Sequence, residues 1–478
     1  MTKLNVLVEN VYPRSFKCLN TRIAEKLQSL QPKTKGGWHG ANLNVWNDLR
    51  TNGEHFNFIS VDEYNINDTA PVIYLITIPF INDHLNTTWT RWIPDLTLKV
   101  LKEKNIPIVL SQPQEYYLGH LTQLGYHHFT PTEELSLLSK ALDQIGLNYN
   151  DIIIHGIAAT CSKPGFFEVG TRRVYEAYNY SYFTKGERFC TDWLEQDLTS
   201  PAMQKYKYLT AKDHLNACES KDKTSVCFNR QPRDLRCVLL LASEDKMDES
   251  VFTFLAEEPL HVPMSQQDIF ERLENSIINL PEGSYKQRLH DAIEPLMKRL
   301  PLQLDELEGE RIDHMNANYV LNQQRKRAWF EMVTETHEWQ KKDYAISIIT
   351  EKTIWPIINN MPFCIQGHKE NYQFLKDLGF DLFEDTLLNQ EAHKRDLLNT
   401  DLNKSTLHAT DQMYERFNAW NKNWKFLSSI EHRLEHNFNL LTKTDWNLKE
   451  KNDFIKICDH ANLSKRSFDI YLSNKFKF

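Results

Sequence analysis

Short runs rich in β-branched residues recur through the first half of the chain, at residues 4–8, 58–61, 72–77, 106–110 and 152–155. Runs of this length and composition read as β-strands. Between them, residues 22–30, 96–104 and 133–145 carry apolar side chains at helical spacing, the stripe of a helix with one face on a core. Strands and helices in alternation predict a parallel sheet covered by helices, a Rossmann-like unit.

A polar, aromatic connector over residues 186–223 interrupts the alternation, and a second series then begins. Strands are expected at 225–228, 252–255, 330–334 and 363–365, with helices at 235–242 and across 266–300 and a further apolar segment at 346–358. Beyond about residue 384 no strand pattern appears, while 411–424 and 428–441 have helical spacing. The expected organisation is therefore an N-terminal Rossmann-like domain at 1–215, a second α/β domain at 216–385 and a helical tail at 386–478.

Composition narrows the class. A chain of 478 residues with 41% hydrophobic and 25% charged residues is an ordinary multidomain globular protein. Its 15 Gly and 18 Pro are too few for a linker-dominated chain, and 12% aromatic content is far above that of disordered segments. The net charge of −8 does not favour sliding on nucleic acid or lying on an anionic membrane, although the tail is mildly basic. The longest apolar stretch, 70–81, contains Pro71 and Pro79 and falls short of the roughly twenty residues a spanning helix needs, so no membrane span is expected. The first residues read as a strand rather than a leader, and a cytoplasmic protein is expected. Eight scattered cysteines form no C-x-x-C pair and no zinc spacing, which predicts reduced thiols, with Cys227, Cys237 and Cys364 as small core residues.

Two segments of the second domain carry candidate chemistry. In 347–358, Pro356 belongs in the first turn of a helix, so a helix is expected to begin near Thr353, with Thr350, Glu351 and Lys352 at its mouth. A lysine beside a helix start suits the phosphates of a nucleotide, and Glu351 suits ribose hydroxyls; a solvated first turn is the alternative. In 226–236, an apolar strand runs into Asn229 and Arg230, then Arg233 and Arg236, at the carboxyl end of a strand, where open α/β sheets bind ligands. Arginine offers a planar fork matched to phosphate oxygens, though one or two of these arginines could be surface charges.

Taken in order, Phe330-Glu331, Asp343-Tyr344, Ile349-Thr-Glu-Lys352, Pro362-Phe-Cys-Ile-Gln-Gly367 and Asn371-Tyr372 resemble the donor-binding signature of α1,3-fucosyltransferases and related phage-encoded glycosyltransferases. The resemblance covers residues 225–385. Met332 stands where that family has Asn, and Tyr344 is separated from Thr350 by four extra residues, so the resemblance leaves the sugar open.

What the resemblance implies is a GT-B glycosyltransferase: two Rossmann-like domains facing across a cleft, with a nucleotide-diphosphate sugar as donor. Lys352 with Arg230, Arg233 or Arg236 would hold the diphosphate, Glu351 the ribose, and Asn229, Thr350 and Gly367 would complete the pocket. The sequence has no Asp-x-Asp, which agrees with a leaving diphosphate neutralised by cations and a helix dipole without a metal or other required cofactor. The acceptor would be a glycan or a modified nucleic acid.

On the acceptor side, Glu115 leaves the carboxyl end of the strand at 106–110 and is the candidate general base of an inverting transfer. His39, in the glycine-rich turn 36–40, is a base or a turn residue. The aromatics and bases of 420–426 and 465–471 suit either stacking on sugars or packing against the N-terminal domain. Two other readings stand beside this one: a non-catalytic virus-encoded structural or nucleotide-binding protein on the same scaffold, and a glycosyltransferase acting on modified DNA bases.

Overall fold

The apolar runs become strands of two separate parallel sheets in the computed structural model, which describes residues 4–8, 56–77, 93, 95–111, 131–156, 158–159, 166–178, 180, 182–183, 208–229, 232–254, 257–258, 262–278, 280, 282–302, 314–335, 347–366, 369–383, 385 and 424–475. The chain divides into unit 1, Met1–Thr184 with Asp445–Phe478, and unit 2, Lys185–Thr444.

Unit 1 contains β1 (Leu4–Val8), β2 (Phe56–Ser60), β3 (Val72–Thr77), α1 (Asp95–Lys104), β4 (Ile108–Ser111), α2 (Pro131–Gln144), β5 (Ile152–Gly156), β6 (Phe166–Val169) and β7 (Arg172–Tyr178). The sheet order is β2-β1-β3-β4-β5-β7-β6, parallel throughout except for the edge strand β6. This is a doubly wound arrangement with its reversal between β1 and β3. Every residue of β5 is buried, as a strand covered on both faces requires. The hairpin β6–β7 was not expected from sequence, because Glu168, Arg172, Arg173 and Glu176 break its apolar pattern. Arg172 is nonetheless buried, its guanidinium donating to Ser139 O at 3.0 Å and to Asp143 at 2.6 Å.

Unit 2 contains α3 (Ala211–Asn216), β8 (Lys223–Asn229), α4 (Asp234–Ala242), β9 (Ser250–Phe254), α5 (Gln266–Ile277), α6 (Ser284–Met297), α7 (His314–Arg327), β10 (Ala328–Thr334), α8 (Glu351–Ile358), β11 (Phe363–Gln366), α9 (Lys369–Asp377) and α10 (Trp424–Lys443). Its sheet order, β9-β8-β10-β11, is all parallel and again doubly wound, with the reversal between β8 and β10. Capping boxes at Thr210/Asp213 and Ser265/Asp268 satisfy the free N–H groups that open α3 and α5.

The chain then returns to unit 1 as α11 (Trp446–Lys475). Its Phe454, Ile457, Cys458 and Ala461 close the core over Leu4, Val6, Phe56, Ile73 and Ile153. Each large apolar side chain buried in this way contributes about 1.5–3 kcal/mol. A clasp holds the helix: His155, at the carboxyl end of β5, meets Glu450 Oε1 at 2.8 Å, and the Tyr180 N–H donates to Glu450 Oε2 at 2.9 Å.

The unit boundary at 184/185 differs from the expected 215, and the expected tail divides between the units. Residues 208–216 belong with unit 2 because the Leu209 N–H donates to Asn359 Oδ1 (3.1 Å) and His214 Nε2 meets Asn359 O (2.9 Å). α10 stays in unit 2 because Arg433 is ion-paired with Asp381 and Asp385, whereas the apolar face of α11 fits unit 1. At the amino end of the unit 2 sheet, the Lys221 ammonium donates to Ala328 O (2.5 Å), Lys326 O (2.9 Å) and His214 Nδ1 (3.4 Å). Burial lowers Lys221 to about 7 and, with the Lys221 charge as the second cause, lowers His214 to about 3. The helical expectation at 22–30 and most of that at 411–424 lie outside the described residues. Among the described residues no helix is long and apolar enough to cross a membrane.

Candidate functional site

The reversal between β8 and β10 brings two strand ends side by side, at Asn229 and Thr334. Asn229 is held from both neighbours. Its N–H donates to Thr253 Oγ1 (3.0 Å) on β9, and the Thr253 hydroxyl donates back to Asn229 O (3.1 Å). On the other side the Thr334 hydroxyl donates to Asn229 Oδ1, while Asn229 Nδ2 donates to Cys227 Sγ at 3.2 Å. The carboxamide is thus locked in one orientation at the carboxyl edge of the sheet, the edge where ligands bind in this class of fold.

The residue that follows β10 is Glu335, whose carboxylate is fully enclosed. Glu335 Oε1 accepts the Thr350 N–H (3.1 Å) and the Thr353 hydroxyl, and Oε2 accepts the Thr350 hydroxyl (2.5 Å). Thr350 is the N-cap of α8, and its Oγ1 accepts the Lys352 N–H at 3.4 Å. The start of α8 is therefore fixed to the end of β10, one residue beyond the Thr334–Asn229 bond.

This corrects the expected helix start: α8 begins at Glu351, not near Thr353. The Thr350 cap and its Glu335 anchor set the start earlier, and Pro356 lies inside the helix. The bond that Pro356 cannot make would have gone to the carbonyl of Lys352, in the first turn.

Glu351 and Lys352 reach solvent at this edge with side chains 24% and 25% exposed, and Lys352 Nζ donates to Glu351 Oε1 at 2.6 Å. Arg233 is the half-buried residue immediately before α4. Arg236, in the first turn of α4, is buried at 4% exposure, close enough to Cys227 for its charge to act on the thiol. Burial, reinforced by the Glu331 charge and opposed by Arg236, pushes that thiol up to about 12.

Of the residues expected from sequence, Asn229, Thr350, Glu351 and Lys352 gather at one strand edge, and Arg233 stands four residues beyond Asn229. Glu115, Arg230, Gly367, His39, Asp343 and Tyr344 lie outside the described residues. Glu331, of the Phe-Glu pair, is buried within β10, where Arg325 binds it through both oxygens at 2.7 and 3.0 Å. The Tyr372 hydroxyl accepts the Ile365 N–H (2.8 Å) and donates to Ile365 O (2.6 Å), pinning α9 to β11.

Sequence reasoning missed Thr334, Glu335 and Thr353. The signal available was one of position: Thr334 closes, and Glu335 follows, a largely apolar strand, at the ligand edge of a parallel sheet. Among the described residues no group of three His, Cys, Asp or Glu converges as a metal site.

No family model matches the sequence, and no curated protein matches it. Solved structures that it resembles include an α,α-trehalose-phosphate synthase (UDP-forming) from Burkholderia vietnamiensis, at 10% identity and TM-score 0.37 over 97% of this chain and 99% of that one. Trehalose-6-phosphate synthase from E. coli bound with UDP-2-fluoro glucose aligns at 10% identity and TM-score 0.38 over 95% and 99%. An α1,3-fucosyltransferase aligns at 11% identity and TM-score 0.32 over 93% and 91%.

Proposed function

We propose that the chain is a glycosyltransferase that takes a sugar from a nucleotide-diphosphate donor, with unit 2 holding the nucleotide. The observation that carries this reading is the fixed start of α8 at the switch point of the unit 2 sheet, where Glu335 anchors Thr350 beside the Asn229–Thr334 pair. The helix start is already served by protein acceptors, since the Thr350 and Lys352 N–H groups end on Glu335 and Thr350 Oγ1. The diphosphate is accordingly assigned to side-chain cations: Lys352, released from Glu351, with Arg233 and the neighbouring Arg230 and Arg236. Glu351, freed in the same exchange, accepts from the ribose hydroxyls, and Asn229, Thr350 and Gly367 line the pocket.

In the reaction an acceptor hydroxyl attacks the anomeric carbon, the bond from that carbon to the diphosphate oxygen breaks, and the hydroxyl proton passes to Glu115 as general base. Lys352 and the arginines stabilise the leaving diphosphate, a task that needs no metal. The acceptor class is a glycan or a modified nucleic acid.

The test is a thermal-shift panel of UDP-, GDP-, ADP-, CMP- and dTDP-sugars, with and without EDTA, because a ligand that binds only the native state raises its melting temperature. A selective shift that survives EDTA and is lost in Lys352→Ala is expected. No shift with any nucleotide sugar would refute the reading and favour a non-catalytic scaffold.

A further inference from the structure

We propose that Glu335 is the positioning residue of the nucleotide site. The inference rests on the functional reading above and deepens it. A carboxylate enclosed in protein is costly unless hydrogen bonds satisfy it, and Glu335 collects three: the Thr350 N–H, the Thr350 hydroxyl and the Thr353 hydroxyl. These three donors belong to the cap and first turn of α8. The carboxylate therefore ties the cap and the first turn of α8 to the end of β10.

A consequence follows for the site. The turn that presents Glu351 and Lys352 is held at a fixed height above the ends of β8 and β10, so these two side chains meet a ligand without first ordering their backbone. Lys352, so presented, is assigned with the arginines to the phosphates. Glu335 itself touches no ligand and acts through Thr350 and Thr353.

The experiment compares Glu335→Ala, Glu335→Gln and Thr353→Val with the wild-type chain by titration calorimetry against free UDP, GDP, ADP and dTDP. Glutamine keeps an acceptor for the Thr350 N–H and can pair its amide with the hydroxyls, so its affinity for the nucleotide that wild type binds should stay within about threefold. Alanine should weaken that affinity at least tenfold, and added acetate, small enough to fill the space left by the carboxylate, should restore most of it. Thr353→Val, isosteric and missing one of the three donors, should weaken binding by several fold, and it carries the test should the alanine variant fail to fold.

A folded Glu335→Ala or Thr353→Val with wild-type affinity would overturn the positioning role while leaving the nucleotide reading intact. A glutamine variant as weak as alanine would overturn it as well, because the charge and not the placement of α8 would then be the active feature. If wild type binds none of the four nucleotides, both proposals fall.

Discussion

Lowering the pH should destabilise unit 2 through His214, and the structure sets the size of the effect. His214 is buried at 1% exposure, with Nε2 on Asn359 O and Nδ1 facing the Lys221 ammonium. Only the neutral ring with its proton on Nε2 satisfies both contacts, and burial followed by the Lys221 charge lowers the group from 6.5 to about 3. The sign follows from proton binding: between these values the unfolded chain takes up a proton that the folded one refuses, so stability is full above 6.5 and is lost as the pH falls towards 3. At roughly 1.4 kcal/mol per pH unit, the whole window is worth at most about 5 kcal/mol, of which about 2 kcal/mol is gone by about pH 5.

The perturbation is His214→Gln, which keeps one donor for Asn359 O and one acceptor for Lys221 but cannot titrate. Urea unfolding of both proteins at intervals from about pH 8 to pH 5 should show wild type losing about 2 kcal/mol more than the variant over that range. Lys221 adds its own dependence, rising with pH between about 7 and 10.5 because there the unfolded chain holds the extra proton; it is common to both proteins and cancels in the comparison. Equal pH slopes for the two proteins would refute the reasoning.

Other expectations are as direct. Arg325→Ala strands the buried Glu331 carboxylate and should cost about 3–5 kcal/mol by chemical unfolding, while pairing Arg325→Met with Glu331→Leu should recover most of the loss. A wild-type cost for the double change no smaller than for Arg325→Ala would show that the charge pair is not what the single variant disturbs. Ending the chain at Thr444 removes α11 from the unit 1 core and leaves His155 facing no Glu450, so limited proteolysis should digest unit 1 rapidly and spare fragments of unit 2. In native protein at about pH 8, alkylation followed by mass spectrometry should find half-buried Cys218 modified before Cys227, Cys237, Cys364 and Cys458, which are all buried.

The strands of both sheets were legible because a parallel strand covered on two faces is largely apolar, as β3 is and as β5 and β10 are but for His155, Glu331 and the closing Thr334. Elements that depend on distant partners were not. The polar surface of α7 offers no stripe to read, and the charged hairpin β6–β7 looks like loop until Arg172 is seen enclosed by Ser139 and Asp143. The division of the chain was hidden for the same reason, since the bonds that tie Leu209 and His214 to Asn359 span 150 and 145 residues. In the candidate site, the half-buried pair Glu351–Lys352 announced itself through the helix start, whereas Glu335, which fixes it, shows in the sequence only as a carboxylate following a strand, and its role emerges with the donors that meet it.

The return of α11 has a consequence for how the protein is made. Unit 2 is, in chain order, an insertion between the strands of unit 1 and the helix that completes them. During synthesis the β-sheet of unit 1 emerges first, yet the side that Phe454, Ile457 and Ala461 will cover stays open until the whole of unit 2 has left the ribosome. The unit that closes last is thus translated ahead of the one inserted in it, and a ribosome that stops within unit 2 releases a chain whose unit 1 sheet still shows its apolar face to chaperones and proteases.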